Sequence, residues 1–190
     1  MTNKRIMGLK EIYEKYDVFF IDLWGVVHNG IKLNSGAIQV LENLYKLKKK
    51  FILMSNAPRP SKDVKKFLLN LKMNEVLTRN IFTSGEAALA SFKKNKYGKF
   101  FYHLGPKRDS SLFEGFEKNK KNLKNADFIL CTGLLDSHES SLKFYEKLLS
   151  NHTHLNMVCT NPDLVVHRGN EREYCAGSVA EIFKKLGGKV

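Results

Sequence analysis

Short apolar runs alternate with amphipathic stripes along this chain, and the alternation constrains the fold before any single residue does. The runs are Val18–Leu23, Phe51–Met54, Phe100–Leu104, Phe128–Cys131 and Met157–Cys159. The first is β-branched and aromatic and far too short to cross a bilayer, as expected of a strand buried on both faces. Between the runs the apolar spacing turns helical. Ile38, Leu41, Leu44 and Tyr45 share one face after Ser35-Gly36. Val64, Phe67, Leu68 and Leu71 share another after Ser61, an expected N-cap, and Ala87, Ala88 and Phe92 follow a second expected cap, Ser84. Leu142, Tyr145, Leu148 and Leu149 form a further stripe, and Val179, Ile182, Phe183 and Leu186 a last one, closed by Gly187-Gly188. The stripes read as core-facing. Strand–helix alternation of this kind predicts an α/β fold with a parallel sheet and right-handed crossovers.

At 190 residues the chain suits one domain or two small ones. Its 43% apolar and 27% charged content argues against wholesale disorder. No apolar run approaches the ~20 residues that span a bilayer, so no membrane partner is expected. Met1-Thr2-Asn3-Lys4-Arg5-Ile6-Met7-Gly8 has no apolar block after its basic residues and does not read as a signal peptide. Cys131, Cys159 and Cys175 lack CxxC spacing and fit reduced, partly buried thiols of a cytoplasmic protein. The net charge of +13 raises nucleic acid as a partner. The excess is mostly lysine, however, and runs such as Lys46-Leu47-Lys48-Lys49-Lys50 fall where helix ends or exposed helix faces are expected. Arginine, the residue suited to bidentate phosphate contacts, is scarce. Attraction of anionic substrates is the expected consequence, not a nucleic-acid function.

Asp22 closes the first apolar run, and Gly25 follows three residues later. An ionised carboxylate inside a buried strand is costly, so Asp22 is expected at the strand's carboxyl end, where open α/β sheets bind ligands. A solvated acid at a strand end is the bland alternative. The second run ends in Ser55-Asn56. Two such strand ends side by side would present a carboxylate, a hydroxyl and backbone N–H groups at one sheet edge. That set can hold a phosphoryl group, the carboxylate attacking phosphorus while the hydroxyl and amides bind its oxygens. The histidines show no trusted metal-ligand spacing, and His28, just past the turn, reads as a solvated loop residue, with a position facing the cleft as the alternative.

Asp22-Leu23-Trp24-Gly25-Val26 followed by Met54-Ser55-Asn56 resembles the first two motifs of the haloacid dehalogenase (HAD) superfamily of phosphoryl-transfer enzymes. Ile81-Phe82-Thr83-Ser84-Gly85-Glu86-Ala87-Ala88 and Cys159-Thr160-Asn161-Pro162-Asp163 resemble the cap region of subclass IIA, and Ala176-Gly177-Ser178 the return to its core. The resemblance implies a HAD-like Rossmannoid parallel-sheet core with an inserted α/β cap: residues 1–79 as the first part of the core, 80–172 as the cap, and 173–190 as the return. It implies Asp22 as the nucleophile that forms an aspartyl-phosphate, and Mg²⁺ on the Asp22 carboxylate and the Trp24 backbone carbonyl. Ser55 and the Asn56 backbone would hold the phosphoryl oxygens, with Gly25 letting the chain approach them. Asn161 and Asp163 would face the leaving group of a small phosphorylated metabolite, although Asn-Pro-Asp equally suits a turn.

The chain departs from that pattern twice. Family phosphatases usually carry a second aspartate two residues after the nucleophile as general acid and base. Here the position is Trp24, as in a subgroup of subclass IIA. The family pattern also continues past the Lys184-Lys185-Leu186-Gly187-Gly188 helix end into a strand, a Gly-Lys-Pro lysine and a Gly-Asp acid pair, whereas this sequence ends at Val190 and Lys189 reads as solvated. The expectation is a core incomplete at its C-terminus, with weak or no catalysis by this chain alone and the strand of Asp22 left as an apolar edge. The alternative is a non-catalytic fragment, or one half of a split protein. Either reading leaves room for a second chain or a homo-oligomer that completes the sheet.

Overall fold

The computed structural model describes residues 5–168 and 170–190. The chain divides into two compact units, Met1–Ser55 with Lys65–Phe82 and Asn56–Val64 with Thr83–Val190.

The first unit is built on a sheet of β1 (Val18–Asp22), β2 (Lys50–Ser55) and β3 (Ile81–Thr83), in that spatial order. β1 and β2 run parallel, with Phe20 opposite Ile52 and Asp22 opposite Met54. α1 (Ser35–Lys46) makes the crossover between them. It starts on Asn34, whose side chain accepts the Gly36 N–H at 3.1 Å, and it buries Leu41 and Leu44. Tyr45 is exposed, against expectation, because the buried stripe is centred on Leu41 and Leu44 and Tyr45 falls outside it. α2 (Ser61–Asn70) leads on toward β3. Ser61 is its first helical residue and not its cap: the hydroxyl donates to Glu86 at 2.9 Å, and the Pro60 carbonyl receives the first N–H groups. β3 is too short to show an alternating pattern, and the sequence alone does not mark it as a strand.

This sheet is covered unequally. Phe19, Phe51 and Leu53 are buried. Val18, Phe20 and Met54 alternate with them along the strands and are exposed, Phe20 to 69%. Phe82 of β3 is exposed as well. Parallel sheets normally have both faces covered.

The second unit has a sheet of its own. β4 (Phe101–Leu104), β5 (Phe128–Cys131) and β6 (Asn156–Cys159) are parallel, in the order β4-β5-β6. Every residue of β5 is buried, and its alternate residues enter different cores. Ile129 and Cys131 pack with Tyr145 and Leu149 of α4 (Leu142–Leu149) and with Val179 and Phe183 of α5 (Ala176–Lys185). Phe128 and Leu130 pack with Phe92 of α3 (Ser84–Lys93), Phe101, Leu112 and Phe113. Each such buried side chain contributes roughly 1.5–3 kcal/mol. The N-cap of α3 is Thr83, one residue before the expected Ser84, with its hydroxyl accepting the Glu86 N–H at 3.0 Å. Ala87 points outward. An antiparallel pair, β7 (Val165–Arg168) and β8 (Glu171–Tyr174), also lies outside the sequence reading, because its charged residues hide any strand pattern. As expected, the three thiols are free: Cys131 and Cys175 are buried and Cys159 half-buried. Among the described residues no helix is long and apolar enough to cross a membrane.

Candidate active site

β1 ends on Asp22 and β2 on Ser55. Because Asp22 lies opposite Met54, Ser55 is the next residue along the neighbouring strand. Standard strand spacings then put the two Cα atoms about 6 Å apart. The backbone register thus brings the two strand ends side by side.

The turn after β1 is tightly closed. Val27 and His28 donate to the Leu23 carbonyl at 2.9 and 3.1 Å, and the Gly25 N–H donates to the His28 carbonyl at 2.8 Å. Gly25 has φ +80°, a conformation that disfavours any side chain, and no atom lies within 4 Å of where its Cβ would stand. Trp24 is half-buried, its ring meeting the edge of His28 at a centroid distance of 5.3 Å. His28 is not a solvated loop residue. It is 5% exposed, its ring also meets Phe67 at 5.2 Å, and its Nδ1 accepts the Gly30 N–H at 3.1 Å. Burial lowers its pKa, so the ring is neutral near pH 7 with the proton on Nε2.

The segment that follows Ser55 belongs to the second unit and is fastened there. The Ala57 carbonyl accepts the Gly85 N–H at 3.1 Å and the Ser84 hydroxyl at 3.0 Å, and the Arg59 carbonyl accepts the Thr83 hydroxyl at 2.7 Å. The Asn56 side chain donates to Asp163. Asn161 accepts the Asp163 N–H on its own Oδ1 at 3.1 Å, so Asn161-Pro162-Asp163 forms the turn that the sequence left open as an alternative. The sequence-derived residues therefore fall into two groups. Asp22, Trp24, Gly25 and Ser55 gather at the strand ends of the first unit, and Asn56, Asn161 and Asp163 gather in the second.

A polar network at the carboxyl ends of β4 and β5 was not foreseen. His103 Nε2 lies 2.8 Å from the Thr132 hydroxyl, and Asp109, 3% exposed, has the Arg59 Nε at 3.7 Å. Burial raises the Asp109 pKa, against the pull of Arg59 and Arg108 and a hydrogen bond from Thr132. Burial, with Lys120 adding to it, lowers His103 to about 4. The Arg59 Nε is itself buried without a hydrogen-bond acceptor. Nearby, Pro60, Lys62, Glu86, Ser111 and Glu114 border an open groove of about 300 Å³. Only the chain topology joins these residues; no local spacing in the sequence marks them.

Among the described residues no group of three or more His, Cys, Asp or Glu side chains forms a metal cage. The strand end offers a smaller donor set of hard oxygens, the exposed Asp22 carboxylate and the Trp24 carbonyl, which accepts no backbone hydrogen bond among the described residues. Such a set fits Mg²⁺, which binds through one or two carboxylates and keeps several waters.

The family pattern described as haloacid dehalogenase-like hydrolase matches residues 19–118. Solved structures align over nearly the whole chain. A haloacid dehalogenase-like hydrolase from Brucella suis is 30% identical, with a TM-score of 0.87 over 97% of this chain and 71% of its own. A 4-nitrophenylphosphatase from Thermotoga maritima is 24% identical, with a TM-score of 0.70 over 94% of this chain and 67% of its own. A p-nitrophenyl phosphatase from Archaeoglobus fulgidus is 15% identical, with a TM-score of 0.67 over 91% of this chain and 66% of its own. The last two likenesses speak to the fold alone. No functionally curated protein matches the sequence.

Proposed function

Because this chain belongs to the haloacid dehalogenase-like hydrolase family, we propose that it is a phosphatase-type hydrolase of subclass IIA acting on small phosphorylated metabolites. The observation that carries the reading is the register of β1 and β2, with Asp22 and Ser55 on adjoining strand ends. An Asp22 carboxylate oxygen attacks phosphorus and forms an aspartyl-phosphate as the bond from phosphorus to the metabolite's oxygen breaks and the dephosphorylated metabolite leaves. Water then cleaves the aspartyl-phosphate, returning the carboxylate and releasing inorganic phosphate. The Ser55 hydroxyl and the Asn56 N–H hold the phosphoryl oxygens, and the open space over Gly25 leaves room for them. The Asp22 carboxylate and the Trp24 carbonyl would hold Mg²⁺, which would supply positive charge against the phosphoryl oxygens. Residues 1–79 serve as core and 80–172 as the cap that selects the substrate, with Asn161 and Asp163 on the leaving-group side. Residues 173–190, expected as the return to the core, pack through Val179 and Phe183 on the sheet of the second unit. A cytoplasmic location accords with three free thiols.

A Mg²⁺-dependent assay over a phosphomonoester panel tests this reading. Turnover is expected to be slow and to vanish in Asp22→Asn; turnover that survives that substitution would remove Asp22 from the chemistry.

One observation favours a second component, in which this chain acts as part of an assembly. The uncovered face with Phe20, Met54 and Phe82, next to the edge strand β1, suits a second polypeptide or a second copy that completes the sheet. Light scattering coupled to size exclusion decides it: a stable, cooperatively melting monomer argues against any such need.

A further inference from the structure

From Asp22 to Gly30 the chain carries two ionisable side chains, Asp22 and His28. A carboxylate that attacks phosphorus cannot also deliver a proton to the leaving group. The indole N–H of Trp24 is far too weak an acid to do so. His28 is 5% exposed, its ring is clamped between Trp24 and Phe67, and its Nδ1 is engaged by the Gly30 N–H. Asp163, placed on the leaving-group side, accepts from the Asn56 side-chain amide on both carboxylate oxygens. The end of β1 thus presents a nucleophile and no proton donor of its own.

We propose that this site takes activated phosphoryl donors, acyl phosphates and aryl phosphates, whose leaving oxygen departs as a stable anion, and that the phosphorylated Asp22 persists. The inference rests on the reading of Asp22 as nucleophile. In the transfer step the bond from an Asp22 carboxylate oxygen to phosphorus forms as the bond from phosphorus to the donor oxygen breaks. The electron pair leaves with the carboxylate or phenolate, no proton moves, and nothing is oxidised or reduced. An alkyl phosphate would have to expel an alkoxide, a much stronger base, and so needs the missing acid. General acid–base assistance is typically worth ~10²–10⁴ in rate. The same absence slows the second half of the reaction, because no side chain of this turn is placed to take a proton from attacking water.

The full 190-residue chain, with Mg²⁺, should be mixed separately with acetyl phosphate, 4-nitrophenyl phosphate and glycerol 3-phosphate, then quenched and weighed intact. A one-phosphoryl adduct is expected with the first two, together with a product burst near one equivalent and slow turnover after it. With glycerol 3-phosphate the adduct should form at least about 10²-fold more slowly. Asp22→Asn should abolish the adduct. Trp24→Asp should open the alkyl phosphate to hydrolysis and shorten the adduct's lifetime; if that variant does not fold, the wild-type donor profile decides alone. Equal rates from all three donors without a burst would overturn the inference while leaving the hydrolase reading intact. Absence of both adduct and turnover with every donor would overturn the two together.

Discussion

The side-chain amide of Asn56 donates to both carboxylate oxygens of Asp163, at 3.4 and 3.3 Å. It ties the residue that follows Ser55 to the turn after β6. That turn is held from two further directions. Asn161 Oδ1 accepts the Asp163 N–H, and the Asp163 carbonyl accepts the Gly177 N–H at 3.1 Å. Asp163 therefore has a structural role beside the one proposed for it at the substrate, and the two separate by experiment.

Asp163→Ala removes only the side-chain bond, which lies at a partly exposed position and contributes roughly 0.5–1 kcal/mol. The melting temperature is expected to fall by about 1–4 °C. Turnover of phosphomonoesters should fall by more than that loss of folded protein explains. A variant with unchanged activity and the same small thermal shift would leave Asp163 a turn residue alone.

Gly177 shows how closely the backbone passes at the same turn. A Cβ there would stand 2.2 Å from the Pro162 carbonyl oxygen and 2.5 Å from that of Asp163, and backbone atoms cannot swing aside as a side chain does. Gly177→Ala is expected to cost about 1–3 kcal/mol, a drop of roughly 3–10 °C in melting temperature. Gly36 is the control. Its nearest atom would be 3.6 Å away, so Gly36→Ala in α1 should be neutral or stabilising.

What was legible in the sequence follows the range of the forces involved. Asp22 and Ser55 could be placed at strand ends because an apolar run ending in a polar residue is a local signal, and the parallel sheet follows from strand–helix alternation. The expected caps Ser61 and Ser84 each lie one residue inside their helices, Pro60 and Thr83 standing at the cap positions, since neighbouring residues compete for the same N–H groups. His28 reads as a solvated residue because His28-Asn29-Gly30 looks like a polar turn, and nothing local announces that Phe67 will close over it. Arg59 and Asp109 meet only when separate elements of the second unit pack together, a contact no spacing rule anticipates.

His103 sets a pH window for stability. It is buried against Phe113 and hydrogen-bonded to Thr132, and its pKa falls from the usual 6.5 to about 4. As pH drops below 6.5 the unfolded chain takes up the proton first. The stability linked to His103 is therefore complete above 6.5 and is lost progressively down to about 4. The full difference amounts to about 3 kcal/mol. His28 shifts in the same direction, whereas Asp109, with its pKa raised, opposes them. Melting curves across this range should show a steep acid-side decline in the wild type and a shallower one in His103→Gln.

The thiols offer a last check, on the packing of the second unit. Burial raises all three: Cys131 well above its ordinary value, Cys159 upward, and Cys175 to about 11. The thiolate is the reactive form, so at pH 8 a group with a pKa near 11 is ionised to only about one part in 10³. Iodoacetamide should label Cys175 in the native protein about 10²-fold more slowly than an ordinary exposed cysteine. Cys131, at the end of the fully buried β5, should resist longest. Intact mass after timed quenching reads the three additions directly, and full labelling is expected once the chain is unfolded. Rapid native modification of Cys131 would mean that the core formed by Ile129, Tyr145, Val179 and Phe183 opens far more readily than its packing implies.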